Sequence, residues 1–354
     1  MTLGRGGGGR SGPGLALVAI TLSAGLLLGE LLVRASGRRP WSDMARPGEP
    51  ELYVEDPELG WQLRPGRHVH PGYARGSGPL RISVLPDGSR DTGYAGSGGE
   101  PWLALLGGSF VQGWGLSDEQ TLAWRLQQRQ RGLRVTNHGV GGYGTHQSLL
   151  VLERLLAGPN APSVVLYGFI PLHEPRNVAD AGWLESLARA GRASLVAAPS
   201  VTLDREGALV RHAPRRHPRW PLREWSALAA FGEIVTARAL AQGRSEQARD
   251  VTLQLLAAMN RSSASRGARF AVVFLWVPPD ARVPYREGAD PRPRMYRGDL
   301  YARALRAEGI PMLDCSHEIT PELTVPGEGH PGAELNDFWA ACLSEWLGVT
   351  DPLR

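Results

Sequence analysis

The chain has 354 residues, 42% of them hydrophobic and 21% charged, which suits one large globular domain with extensions and is too apolar for a disordered chain. Its net charge is +4, and with no lysine present all 39 basic residues are arginines, scattered among 35 acids; that scatter argues against a nucleic-acid surface. The two cysteines, Cys315 and Cys342, show no Cys-x-x-Cys and no zinc-ligand spacing, so a disulfide framework and a zinc site are excluded. Two buried thiols are expected, with one bridge the alternative in an oxidising compartment.

Residues 14–33, GLALVAITLSAGLLLGELLV, carry a single charge, Glu30. At about 1.5 Å per residue they reach about 30 Å, the thickness of a bilayer's hydrocarbon core. The leader in front, MTLGRGGGGR, resembles the n-region of an export signal. Three fates are open: an uncleaved membrane anchor over residues 1–35, a cleaved signal with Ala35-Ser36-Gly37 as an imperfect site, or a buried core helix. Arg5 and Arg10 precede the span and Arg34, Arg38 and Arg39 follow it, which leaves its orientation open.

Residues 36–50 are polar and rich in proline and read as a linker. Residues 51–97 read as a small β-rich extension, with strands over Leu59–Leu63 and Arg81–Leu85, the second followed by the turn Pro86-Asp87-Gly88-Ser89. From residue 98 the pattern alternates. Apolar runs predict strands over Trp102–Leu106, Leu133–Asn137, Ser163–Ile170, Arg269–Val277 and Ile310–Asp314. Helices are predicted over Glu119–Gln130, His146–Leu156, Ser245–Arg266, Asp299–Ala307 and Gly332–Leu347. Residues 176–245, with Trp183, Trp220 and Trp225, read as a long irregular insertion and a candidate lid. Short apolar strands between helical periods imply an α/β domain over 98–348, with a parallel sheet covered on both faces.

In such sheets ligands bind beyond the carboxyl ends of the strands. After the first strand comes Gly107-Gly108-Ser109-Phe110, a serine on a glycine turn that presents its hydroxyl, although a serine in a βα loop is common. After the second comes Asn137-His138-Gly139-Val140-Gly141-Gly142-Tyr143-Gly144-Thr145, whose backbone N–H groups suit a phosphate or a developing oxyanion. No lysine follows it and no ribose-binding acid is placed for it, so neither a Walker loop nor a dinucleotide fingerprint is present. After the last strand comes Gly327-Glu328-Gly329-His330-Pro331, which places a histidine ahead of the closing helix.

Gly-Gly-Ser-Phe, then Asn-x-Gly-x-x-Gly-Tyr-Gly-Thr-x-Gln, then Gly-His-Pro before a final helix resembles the SGNH (GDSL-type) hydrolase superfamily, over about residues 98–348. Asp56-Pro57-Glu58-Leu59-Gly60-Trp61 and Asp87-Gly88-Ser89-Arg90 look like the extension of membrane-anchored bacterial members. The resemblance implies a flavodoxin-like three-layer sheet and a domain held in the periplasm or outside the cell by one N-terminal transmembrane helix. It implies Ser109 as nucleophile, His330 as its base, and the N–H groups of Ser109 and Gly142 in an oxyanion hole.

Two departures from the family pattern matter. The family's third block supplies an oxyanion asparagine; here that stretch is Ile170-Pro171-Leu172-His173-Glu174-Pro175-Arg176-Asn177, with His173 or Asn177 as substitute donors. His173, Glu174 and Arg176 are otherwise a polar cluster of their own or a charged loop. The family's acid, three residues before the histidine, is here Gly327; Glu328 is the candidate third member, and a Ser-His pair alone is the alternative. Asp314 is expected to cap local backbone groups. The function implied is a serine ester hydrolase acting on O-acyl esters of an envelope glycan or lipid, with no metal and no organic cofactor. An O-acyltransferase on the same serine, and a non-catalytic binding or assembly module of a polysaccharide pathway, are the alternatives.

Overall fold

The computed structural model describes residues 12–44, 52–72, 78–192, 197–276, 298–317 and 319–350. The arginine-bearing leader, most of the 36–50 linker and the end of the strand expected to reach Val277 lie outside the described residues.

Helix α1 (Gly12–Ala35) is continuous and none of its apolar stretch is buried in the protein, which removes the core-helix alternative. The chain then turns once at Trp41–Asp43. Two antiparallel hairpins follow: β1 (Tyr53–Asp56) with β2 (Gly60–Leu63), and β3 (Gly66–His70) with β4 (Leu80–Val84). Asp56 closes the first turn by accepting the N–H groups of Glu58 and Leu59, and it pairs with Arg154 at 3.0 Å.

The main domain is built on five parallel strands. After β5 (Trp102–Gly107) come the single-turn α2 (Ser109–Gln112) and α3 (Leu122–Arg129), then β6 (Arg134–Gly139), α4 (Thr145–Ala157) and β7 (Val164–Phe169). The short α5 (His173–Asn177) and α6 (Ala181–Leu187) lead to an antiparallel hairpin, β8 (Ala198–Leu203) and β9 (Leu209–Arg215). The long α7 (Ala227–Glu246) and α8 (Ala248–Ser265) precede β10 (Arg269–Phe274), α9 (Gly298–Ala307), β11 (Met312–Asp314) and α10 (Ala333–Thr350). The sheet order is β11-β10-β7-β5-β6, the flavodoxin-like order, with its switch point beside β5.

Strands β5, β7 and β10 are apolar at nearly every position because helices cover both faces. Leu106, Val165, Tyr167 and Val272 pack under α4, α8 and α9, while Leu103, Leu105, Val135 and Val273 pack under α3 and α10. Truncating a buried leucine in such a layer typically costs about 2–5 kcal/mol. The extension shares a third cluster with the main domain, in which Trp61, Leu63 and Val84 meet Val140, Tyr143 and Leu150.

Four sequence expectations change. The helix expected over Glu119–Gln130 begins at Leu122, because Thr121 is extended and caps it, while Asp118–Gln120 forms a separate turn. The insertion read as irregular contains α6, the β8–β9 hairpin and α7; the helix expected to begin at Ser245 is two helices that meet at Gln247. Cys315 and Cys342 are not thiols but a disulfide, with Cα atoms 6.1 Å apart, because the end of β11 and the middle of α10 share one face of the sheet. Closing that 27-residue loop contributes about 3–4 kcal/mol in the chain-entropy view. Asp314 caps as expected, accepting from the Ser316 N–H at 2.9 Å.

Candidate active site

Ser109 opens α2 directly after β5, at the switch point of the sheet. Gly108 precedes it in extended conformation, and the turn closes at Gly113. The turn is braced from behind by Arg90, which is fully buried. Its guanidinium donates to the carbonyls of Gln112, Gly113 and Leu116 and pairs with Asp118 at 3.0 Å. A buried cation with its donors satisfied is costly to disturb, typically about 3–5 kcal/mol when one partner is removed.

His330 reaches the serine from the other end of the domain. Its Nε2 lies 3.0 Å from Ser109 Oγ, and its Nδ1 lies 2.6 Å from Glu328 Oε2. Glu328 also accepts the His330 backbone N–H at 2.8 Å. The loop that carries both is a tight turn: Val325 N–H donates to the His330 carbonyl, and Glu328 N–H donates to that of Val325. Gly327 there has φ +79°, a left-handed conformation that favours glycine, and the carboxylate that meets His330 comes from the next residue. Phe110 and Trp114 hold the imidazole, with ring centroids 6.0 and 5.6 Å away. Burial alone would raise the Glu328 carboxyl, but hydrogen bonds from the His330 side chain and backbone and from Trp114 outweigh it and hold it below the usual glutamate range. An ionised carboxylate on Nδ1 suits an imidazole whose Nε2 accepts a proton.

The glycine-rich loop after β6 lies beside the serine. Gly142 has φ +85°, and a Cβ there would meet Trp61 at 2.9 Å and Trp183 at 3.2 Å. The loop is fixed by distant partners: Trp61 Nε1 donates to the Gly141 carbonyl at 2.9 Å, and Gln112 Oε1 accepts the Gly141 N–H and the Tyr53 hydroxyl. Asn137 ties it to the serine turn, donating to the Val111 carbonyl and accepting the Gly139 N–H.

A second polar group approaches Ser109 from α5. A Cβ at Gly108 would lie 2.9 Å from His173 Nε2 and 3.1 Å from Arg176 Nη1, so these two side chains fill the space that a residue other than glycine would need. His173 is buried; its Nδ1 bonds to the Tyr167 hydroxyl at 2.6 Å, and its Nε2 has no hydrogen-bond partner among the described residues. Burial first, and then the charge of Arg176, push its pKa far down, so the imidazole is neutral. Arg176 donates to the Tyr143 carbonyl at 3.0 Å and lies over the Trp183 ring, 4.7 Å from its centroid. Asn177, the other expected donor, points elsewhere: its amide serves the His146 N–H, Thr145 and Thr252. Glu174 is buried against the Tyr301 hydroxyl at 2.6 Å, and burial pushes it up to about 7.

His330 and Glu328 thus join Ser109, His173 lies against the Gly108 position, and the loop that carries Gly142 is tied to the serine turn, while Asn177 is engaged elsewhere. Arg90, Gln112 and Trp61 belong to the same construction but carried no functional sign in sequence, apart from Asp87-Gly88-Ser89-Arg90 and Gly60-Trp61 standing in the quoted extension motifs. Among the described residues no group of three or more His, Cys, Asp or Glu is placed to hold a metal ion.

The chain matches no family model and no curated protein. Among solved structures it is similar to TesA, with 15% identity over 70% of this chain and 98% of that one, at a TM-score of 0.41. It is also similar to a GDSL-like lipase from Bacteroides thetaiotaomicron, with 14% identity, coverage of 70% and 88%, and a TM-score of 0.38. A third is an alpha/beta hydrolase enzyme from the metagenome of Lake Arreo, Spain, with 14% identity, coverage of 74% and 99%, and a TM-score of 0.39.

Proposed function

We propose that the chain is a serine-dependent ester hydrolase of the SGNH type, held on a membrane by α1, with its main domain exported. The observation that carries the proposal is the unbroken relay from Ser109 Oγ through His330 to Glu328, at 3.0 and 2.6 Å. Such a relay has one use that a binding module lacks, since it removes a proton from a hydroxyl otherwise too weakly acidic to attack.

In the proposed reaction Ser109 Oγ attacks the acyl carbon as its proton passes to His330 Nε2. The carbonyl electrons move onto oxygen, and the oxyanion is met by the N–H groups of Ser109 and Gly142. His173 is the third donor in the tautomer that carries its proton on Nε2, beside the serine turn; its Nδ1 faces the Tyr167 hydroxyl at 2.6 Å, which also meets Thr145 Oγ1 at 2.9 Å. His330 then protonates the leaving alcohol, and water enters by the same steps to release the acid and free the serine. Glu328 stays ionised and orients the imidazole.

The substrate class we favour is an O-acyl ester of an envelope glycan or lipid. Trp61 and Trp183 against the Gly142 loop offer aromatic walls, and α1 would hold the site close to a bilayer. The disulfide supports an oxidising, extracytoplasmic compartment. Contacts between α1 and the main domain favour an uncleaved anchor over a removed signal, because cleavage at Ala35-Ser36-Gly37 would discard the Glu30 and Arg34 side chains that bond to the 225–228 segment.

The test is labelling of the full-length protein in detergent with a fluorophosphonate probe, beside Ser109→Ala and His330→Ala. Labelling of the wild type that is lost in both variants is expected. A folded wild type that neither labels nor turns over a small acetate ester would overturn the proposal.

A further inference from the structure

A membrane anchor needs no specific contact with the domain it carries, yet α1 makes several. The Glu30 carboxylate accepts the N–H groups of Ala227 and Leu228, each at 2.9 Å, and the Ser226 hydroxyl at 2.8 Å, so it caps the first turn of α7. Arg34 donates to Glu30 and to the Trp225 carbonyl. Gly29 lies against Leu228, where an added Cβ would come within 3.1 Å of its side chain. Beyond the helix, Arg38 covers the Phe231 ring at 4.8 Å, and the buried Trp41 lies under the Arg223 guanidinium at 4.3 Å. Trp41 N–H and Ser42 hydroxyl donate to the Arg223 and Glu224 carbonyls. The loop ahead of α7 is thus clipped to the anchor on both sides.

The depth of this junction follows from helix geometry. Glu30 lies five residues before Ala35, about 7 Å before the end of the helix. If α1 crosses a bilayer, the first turn of α7 meets it near the boundary between hydrocarbon and headgroups. A charge can lie there because its oxygens are bonded to four donor groups. At this level the loop turns apolar side chains outward: Trp225 is 73% exposed and Leu222 64% exposed. Leu222 holds a left-handed backbone, φ +63°, fixed by the N–H groups of Trp225 and Ser226 on its carbonyl. Arg219, also largely exposed, lies in the same loop and suits lipid phosphate.

We infer that the loop bearing Leu222 and Trp225, with the first turn of α7, is a membrane-docking surface that inserts into the interfacial layer of the bilayer crossed by α1. The occupant is lipid: tryptophan and leucine beside a span, flanked by arginine, match the interface, where an indole sits at headgroup level. Glu30 is then a positioning residue that holds the catalytic domain against the membrane in one orientation. This inference rests on the reading of α1 as an anchor.

The test uses the full-length protein in vesicles of phosphatidylcholine and phosphatidylglycerol. Both native cysteines are bonded to each other, so spin labels go only to introduced ones: Leu222→Cys, Trp225→Cys, and Asp337→Cys on α10, across the sheet, as an aqueous reference. Labels at 222 and 225 are expected to collide with oxygen more than with a water-soluble nickel chelate, and the label at 337 to do the reverse. Glu30→Ala is expected to return the label at 225 towards the aqueous value while the protein stays in the membrane. Labels at 222 and 225 that behave as the reference, or that are shielded from both reagents by another protein, would overturn the docking surface. Alkaline carbonate separates the two readings: a protein that resists extraction but has aqueous labels keeps its anchor and loses the docking, whereas one that is extracted loses both.

Discussion

Two histidine–glutamate pairs, His330–Glu328 and His173–Glu174, each bring a histidine to the serine turn, and their surroundings shift the two carboxyls in opposite directions. In the first, Glu328 receives the imidazole and backbone N–H of His330 and is held below the ordinary glutamate range. In the second, adjacent in sequence, Glu174 receives one hydroxyl and is raised to about 7, while His173 is driven far below the ordinary histidine range. The first pair, in the proposed reaction, takes and returns a proton. In the second, burial keeps His173 neutral, while Glu174 is neutral only below about pH 7. Residue type alone does not separate these roles; the number of donors around each carboxylate does.

The largest expected effect sharpens the first half of the contrast. Ser109→Ala or His330→Ala lowers kcat for a small ester by about 10⁴-fold or more, and combining them adds little because they act as one unit. Additive losses in a double-mutant comparison of folded proteins would mean that the serine and histidine work separately. Glu328→Gln comes next, with a loss of about 10²–10⁴-fold, since an amide on Nδ1 no longer fixes the productive tautomer. The carboxylate's share of stability, by its lowered pKa, is present above the ordinary glutamate range and fades only as pH falls below it. A wild-type acid unfolding limb that is steeper than that of Glu328→Gln, measured by circular dichroism, checks the sign.

His173→Ala tests the second pair as a donor. The expected loss is about 10²–10³-fold in kcat with KM nearly unchanged, because an oxyanion donor acts in the transition state and not on bound ester. Partial recovery in His173→Gln, which keeps an N–H, distinguishes donation from packing. Equal activity in wild type and His173→Ala would leave the oxyanion to the backbone N–H groups alone.

Much of this was legible in the sequence, and the limits have physical causes. Ser109, Gly142 and His330 stood out because parallel α/β sheets gather their chemistry at strand ends, and each of the three lies on a glycine-rich or glycine-flanked loop after a strand. Glu328 was weaker because its place depends on the left-handed turn at Gly327. Asn177 was misjudged as a donor because nothing local shows that Thr252, 75 residues away, claims its amide. Arg90, Gln112 and Trp61 act through contacts that span 22 to 80 residues, between residues that share no periodicity. The β8–β9 hairpin was hidden by Pro199 and Pro214, which discourage a strand reading. The cysteine pairing was hidden because it depends on how β11 and α10 pack.

The smallest expected effect concerns stability and bears on the second pair's neutrality. Burial pushes the folded Glu174 carboxyl up to about 7, against about 4.5 for an ordinary glutamate. Below pH 4.5 both states are protonated and the side chain costs nothing extra. Between 4.5 and 7 the unfolded chain ionises while the folded one does not, so wild-type stability falls as pH rises; above 7 the loss is complete, at roughly 3 kcal/mol or less. Glu174→Gln keeps an oxygen for the Tyr301 hydroxyl and cannot ionise. The variant should melt close to wild type at pH 4.5 and several degrees above it at pH 8, with ester turnover little changed. A gap that is independent of pH would mean that Glu174 is charged in the folded protein, and the contrast between the two pairs would then rest on the histidines alone.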